Sequence, residues 1–139
     1  MSEENVELVR WVYEEGYARR KVDMPGVEDR IAPDYRFHTR SGFPGRTVYR
    51  LDEMTALWAD LDTTFSDHRL VPQRYEALGR AHVLVTLEQT ARLRGSDQRI
   101  DQTVYMLWRL ADGRVSETWT FTDEAEARAA AATPPSAQK

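Results

Sequence analysis

Two spacings of hydrophobic residues divide this chain. Up to about Phe65 the apolar positions recur at steps of three and four, the helical period; from Ser66 onward they take the texture of strands. Val6, Val9, Tyr13, Gly16 and Tyr17 mark one face of a helix running from Ser2 to about Arg20, with Glu3 and Glu4 at its positive end. A shorter helical piece is expected from Pro25 to Ile31, because proline is tolerated in a first turn. "DYRFHT" (34–39) reads as a short strand and "RSGFPGRT" (40–47) as a loop. Leu51, Met54, Leu57, Trp58, Leu61 and Phe65 mark a second amphipathic helix. Long strands are expected at about 67–78, 81–94 and 99–110, with a last one in "GRVSETWTFTD" (113–123). Asp123 with Glu126 resembles a capping box for a final helix, "DEAEARAAAA", and residues 133–139, "TPPSAQK", should form a disordered tail.

Helices first and then a run of strands predict an α+β domain over residues 1–132: a curved antiparallel sheet wrapped over N-terminal helices, a cone with an internal pocket. The last strand poses the sharpest question. Val115, Glu117, Trp119 and Phe121 point one way, and Ser116, Thr118 and Thr120 the other. If Asp112-Gly113 is a two-residue loop, Leu110 pairs with Val115, and Val104, Met106 and Trp108 share a face with Glu117, Trp119 and Phe121. A three-residue loop, Asp112-Gly113-Arg114, slips the register by one and sets Val104, Met106 and Trp108 beside Ser116, Thr118 and Thr120. Hydrophobic patterning alone favours the first.

Composition then narrows the function. A formal net charge of −4 argues against a sequence-independent nucleic-acid binder, which needs a basic face. The absence of cysteine excludes disulfides, thiolate nucleophiles and cysteine-ligated zinc. His68 and His82 show no metal-ligand spacing with carboxylates and read as structural or exposed, so no metal is expected. Neither GxGxxG nor a P-loop occurs, and no cofactor is expected. With no apolar run long enough for a membrane span and an acidic start, "MSEENVELVR", the expected location is cytoplasmic.

"ENVELVRWVYEEGYARRKVD", "APDYRFH", "VYRLDEM", "FSDHRL" and "LADGRVSETW" follow one another as in SnoaL-like proteins of the nuclear-transport-factor-2-like superfamily, and the resemblance covers residues 3–130. It implies the cone fold, but several activities: isomerase, dehydratase, cyclase, epoxide hydrolase or plain binding. It also implies the second register, because the pocket face of the cyclases and epoxide hydrolases carries an aspartate at the position matching Thr120. The family's other working residues are mostly replaced. Leu87 and Gln89 stand where the epoxide hydrolases have an arginine and a second aspartate. Thr39 stands at the isomerase base position, and Met106 near the second oxyanion donor. Tyr13 alone matches, as the helix-borne tyrosine that donates to a developing oxyanion.

The resulting expectation is a protein that holds a small hydrophobic cyclic or aromatic molecule. Its pocket would be built from Tyr13, Tyr17, Phe37, Thr39, Trp58, Leu61, Leu87, Gln89, Gln102, Val104, Met106, Thr118 and Thr120. The alternatives are a cofactor-free isomerase, dehydratase or cyclase using Tyr13 with Glu117 or His38 as base, and a structural or protein-interaction module. In the second register Glu117 faces Arg109 on the convex side, where an ion pair explains it, and alternation turns His38 away from Phe37 and Thr39. "RID" (99–101) has the arginine–x–aspartate spacing of an epoxide hydrolase on the wrong strand and reads as a solvated strand end, and Glu88, like Glu117, is a carboxylate inside an apolar strand. Tyr105, Leu107, Trp119 and Phe121 would leave an uncovered apolar convex face, which implies a second copy of the chain.

Overall fold

A computed structural model describes residues 2–21, 23–39 and 45–132; the expected tail and most of the 40–47 loop lie outside the described residues. Helix α1 (Ser2–Trp11) continues without a break into a π-helical segment (Val12–Tyr17). There the backbone bonds run five residues back, from Ala18 N–H to the Tyr13 carbonyl at 2.8 Å and from Lys21 N–H to that of Gly16 at 3.0 Å. Widening the helix in this way is uncommon, and such segments concentrate at functional sites. The single helix expected to Arg20 is thus two kinds of helix, with Tyr13 and Tyr17 on the widened part. A short α2 (Val27–Arg30) leads into β1 (Ile31–His38), and β2 (Val48–Arg50) and a one-turn 3-10 segment (Leu51–Glu53) into α3 (Met54–Thr64). The rest is β3 (Phe65–Leu78), β4 (His82–Leu93), β5 (Arg99–Ala111), β6 (Arg114–Phe121) and α4 (Glu124–Ala132).

The fold class is the α+β expected. Six strands form one sheet in the order β2-β1-β6-β5-β4-β3. β3 to β6 are antiparallel as foreseen, but β1 joins β6 in parallel, with Phe37 beside Thr118 and His38 beside Trp119, so the sheet is mixed. A parallel pair needs a long connection, and α3 with β3–β5 supplies it. On the concave side α1, the π-segment and α3 bury Val9, Val12, Tyr13, Leu57, Trp58 and Leu61 against Phe37, Val85, Leu87, Val104, Met106 and Trp108.

The β5–β6 turn resolves the register by combining both expectations. Asp112 (φ 55°) and Gly113 (φ 76°) are both left-handed, the signature of a two-residue hairpin loop, and Leu110 pairs with Val115. One step further the register shifts, so that Arg109 opposes Glu117, Trp108 opposes Thr118 and Met106 opposes Thr120. Ser116 is the extra residue, a β-bulge, and its hydroxyl donates to the Arg109 carbonyl at 3.1 Å. The loop is the short one; the faces are those of the long one.

β3 carries two more bulges, between Ser66 and Arg69 and between Pro72 and Arg74, with Asp67 left-handed at φ 52°. Each advances the inward face by three residues instead of two. Its inner side therefore reads Phe65, His68, Leu70, Pro72 and Tyr75.

The convex face corrects one expectation. It is not bare: α4 lies across it, and Ala127 packs on Leu84 and Leu107, with Leu78, Tyr105, Trp119 and Phe121 around them. Leu107 is fully buried, so it offers nothing to a second chain. Asp123 caps α4 through the N–H groups of Ala125 (2.8 Å) and Glu126 (3.2 Å), and the Arg128 guanidinium forks onto Glu76 of β3 at 2.8 and 3.0 Å.

Candidate functional site

Between the helices and the concave face lies a cavity of about 760 Å³. Of the residues expected there, it gathers Tyr13, Tyr17, Phe37, Thr39, Trp58, Leu61, Gln89, Val104, Met106 and Thr120. Three others stand off it. Leu87 is fully buried in the core beside Val104, and Thr118, also fully buried, has its hydroxyl bonded to that of Tyr35 at 2.8 Å. Gln102 sits behind Gln89, donating to its Oε1 at 2.8 Å. Their strand parity is right; core packing or a neighbouring side chain screens them.

The aromatic wall is continuous. Tyr17 lies 5.3 Å from Tyr13, 6.2 Å from Trp58, 6.3 Å from Phe37 and 6.1 Å from Trp108, centroid to centroid, and Tyr75 is 6.0 Å from Tyr13. Such tilted and edge-on contacts hold rings in fixed orientations. The Tyr13 hydroxyl accepts the Trp108 indole N–H at 2.9 Å and donates to the Met106 sulfur at 3.0 Å. Burial pushes its pKa well above the ordinary tyrosine range, so it is a neutral donor spent on a weak acceptor. Tyr17 is raised in the same way by burial and by Tyr35, whose hydroxyl lies beside its own. The Thr120 hydroxyl is buried without a partner. The Thr39 hydroxyl is committed to the loop, donating to the Arg46 carbonyl at 2.7 Å.

A second polar station lies toward the other end of β5, where Gln102 is four residues, or about 13 Å, from Met106. Here His68, read from sequence as structural or exposed, lines the cavity. Its Nε2 is 2.8 Å from the Gln89 amide nitrogen, and the chain continues through Gln89 to Gln102. Burial, and secondarily the Arg20 charge, lowers its pKa; Asp62 opposes them. Near the opening stand Arg10, Glu14, Arg19, Arg20 and Arg69, of which Arg20 is held by Asp62 at 2.8 Å. His68, Leu70, Pro72 and Tyr75 escaped the sequence reading because the β3 bulges break simple alternation. Asp67, a non-glycine residue in the left-handed region, is a consequence of the first bulge rather than a signal visible beforehand.

Neither expected base reaches this cavity. Glu117 is on the convex face, its carboxylate taking the Arg109 guanidinium at 2.7 Å and His38 Nε2 at 2.8 Å. The His38 ring stacks on Trp119 at 5.2 Å with an interplanar angle of 5°. This rules out both as partners of Tyr13 and corrects that part of the enzyme reading. Glu88, on the same face, accepts the Thr103 hydroxyl at 2.8 Å. Among the described residues no cluster of three or more histidine or acidic side chains is placed to hold a metal ion, and no helix is long and apolar enough to cross a membrane.

Comparison with known proteins agrees with this architecture. Among solved structures, an NTF2-like protein of unknown function from Burkholderia pseudomallei K96243 is 27% identical, with a TM-score of 0.70 over 91% of this chain and 95% of that one. A candidate SnoaL-like polyketide cyclase from Jannaschia sp. CCS1 is 26% identical, with a TM-score of 0.65 over 97% and 96% of the two chains. IdmH, a candidate polyketide cyclase from Streptomyces antibioticus, is 20% identical (TM-score 0.62, 91% and 97% covered) and shares the fold. No curated protein matches the sequence. The model of the SnoaL-like domain matches residues 9–118, and the chain belongs to that family, within the NTF2-like superfamily.

Proposed function

We propose that the cone binds a small hydrophobic cyclic or aromatic molecule bearing carbonyl or hydroxyl groups. The observation that carries this reading is the open aromatic cavity itself, with the buried, unpartnered Thr120 hydroxyl on its wall. A buried hydroxyl without a partner costs about 1–3 kcal/mol, and a ligand oxygen removes that cost. The volume is within the range of about 300–1,000 Å³ typical of small-molecule sites. An unfilled cone also favours this reading over a purely structural module. The test is a thermal-shift screen against cyclic ketones, lactones, terpenoids and polycyclic aromatics. A ligand at 100 times its Kd adds about 2.7 kcal/mol of stability. Stabilisation by one chemical class is the expected result; a flat response across all classes contradicts the reading.

Tyr13 supports a second reading, a cofactor-free isomerase, dehydratase or cyclase. Its hydroxyl proton rests on a thioether and is free to turn to a stronger acceptor, such as a ligand carbonyl on its way to an enolate. The 26% identity with a candidate polyketide cyclase points the same way. Turnover of a bound ketone, lost in Tyr13→Phe with binding retained, is the outcome this reading requires.

The protein is further read as a cytoplasmic homodimer. Tyr105, Trp119 and Phe121 remain half-exposed around α4 and form the apolar part of the proposed contact. Sedimentation equilibrium of the wild type and of Trp119→Lys tests it: a dimer that the lysine dissociates is expected, and a monomeric wild type contradicts it.

A further inference from the structure

Among the described residues, a single ion pair ties the end of the first helix to α3: Arg20 reaches Asp62, in the last turn of α3, at 2.8 Å. Both elements wall the cavity, the π-segment with Tyr13 and Tyr17 and α3 with Leu57, Trp58 and Leu61, so the pair bridges the seam between them at the opening. The two ends of the bridge are held differently. Arg94, from the β4–β5 turn, donates to the carbonyls of Asp62 (2.6 Å) and Phe65 (3.1 Å), and its N–H to that of Thr64 (2.9 Å), which fixes the end of α3 to the sheet. Arg20 instead follows the last residue of the π-segment by three positions, in a turn. Its backbone is left-handed, φ 53°, where a helix normally ends in glycine or asparagine. An arginine is the strained choice there, and what the position gains is its side chain.

His68 stands beside this pair. It lines the same cavity, its ring is 6.2 Å from that of Phe65, and its Nε2 is held by Gln89, which Gln102 holds in turn. Burial, and then the Arg20 charge, keep its pKa below the ordinary histidine range, while the Asp62 carboxylate opposes them. β4 and β5 face it with the neutral glutamines, and on β3 its sequence neighbours are Asp67 and Arg69. Of the other charges on the cavity wall, Arg10 and Arg19 are paired within the first helix, with Glu7 and Glu15, and Glu14 lies on that helix as well.

We propose that the Arg20–Asp62 pair is the latch of the cavity entrance, and that a proton on His68 releases it by attracting Asp62 and repelling Arg20. This rests on the ligand-binding reading above and adds the route by which a ligand enters. With Arg20 swung outward, His68 loses a neighbouring positive charge and keeps Asp62, so the open state binds the proton more tightly than the closed one. By linkage the closed state prevails above the ordinary histidine pKa of about 6.5, and opening grows as pH falls below it. The latch opens for entry and for exit alike. Loosening it therefore speeds both and leaves the affinity where it was.

The probe is N-phenylnaphthylamine, a fluorophore uncharged across the neutral range, mixed with the protein by stopped flow. Because it carries no charge, salt acts on the half-exposed latch and not on steering. Above the histidine range, raising salt should speed wild-type association about two- to fivefold, the scale an exposed ion pair allows, with dissociation faster to match. Asp62→Asn should be fast already at low salt and indifferent to more. On acidification the wild type should accelerate and His68→Gln should not. The salt series uses the wild type alone and so stands whatever the folding of the variants. Rates unmoved by salt or by Asp62→Asn overturn the latch, as does a change confined to one of the two rates, which marks a merely structural pair. An acid response kept in His68→Gln overturns the release by His68. A probe that fails to bind, or binds Leu70→Trp equally well, overturns this entrance for a ring of that size, whereas the ligand-binding reading falls only with a flat response to the whole panel.

Discussion

The two faces of the sheet differ in what surrounds their polar groups: ion pairs on one, an open cavity on the other. On the convex face Glu117 closes a knot with Arg109 and His38, Glu88 takes the Thr103 hydroxyl, and Glu76 takes the fork of Arg128. On the concave face the Thr120 hydroxyl is buried without a partner, Tyr13 spends its proton on a sulfur, and His68 is bonded through Nε2. The convex face has orphans too, the buried Arg109 Nε and His82 Nε2, but they stand beside paired charges and neither lines the cavity. A face that leaves them open around an empty volume awaits something that bonds to them. A carboxylate inside a strand, the first feature one suspects of chemistry, here belongs to the structural side.

The largest expected effect sets the core of the concave face against the rim of the convex one. Trp108→Ala should cost about 3–5 kcal/mol, because Trp108 is fully buried and its removal leaves a cavity and takes the indole donor from the Tyr13 hydroxyl. Trp119→Ala, half-exposed beside α4, should cost clearly less in the same urea titration; equal costs would mean that the convex face carries the core. Next, Glu117→Ala should cost about 1–3 kcal/mol by stranding the Arg109 guanidinium, and Glu117→Gln less, while ligand Kd stays within about twofold. A large loss of affinity would break the separation of the faces.

A smaller effect is expected from pH. Burial, with Arg20 for His68 and Arg109 for His82, depresses both histidines, so each binds protons more readily in the unfolded chain. Their contribution to stability is therefore complete above the ordinary histidine pKa of about 6.5 and is lost as pH falls through the depressed values. Melting temperature should fall on acidification below that point, and less steeply in His82→Gln and in His68→Gln. The smallest effect is Ser116→Ala, about 0.5–1.5 kcal/mol for one hydroxyl at the bulge, read from the urea midpoint.

Much of the fold was legible because it rests on periodicity. The helical stripe of α1 and α3, the long strands and the Asp123 cap are local signals, and they hold. The concave faces of β4 and β5 follow from strict alternation, so Gln89, Val104 and Met106 were assigned to the wall they occupy. What failed depends on departures from period. Asp112-Gly113 announces a short turn, and nothing local announces that Ser116 then undoes its register. The paired bulges of β3 hid His68 for the same reason. Leu87, Gln102 and Thr118 were misassigned because parity says which side a residue faces but not whether a neighbour screens it.

The central claim is that ligands enter the cone, and filling the cone tests it most directly. Leu70 lines the cavity from the edge strand, so Leu70→Trp adds bulk to empty space rather than to packed core. The variant should melt close to the wild type and lose the thermal stabilisation given by whichever class of compound stabilises the wild type. A folded Leu70→Trp that keeps the full stabilisation would place the ligand elsewhere and contradict the account.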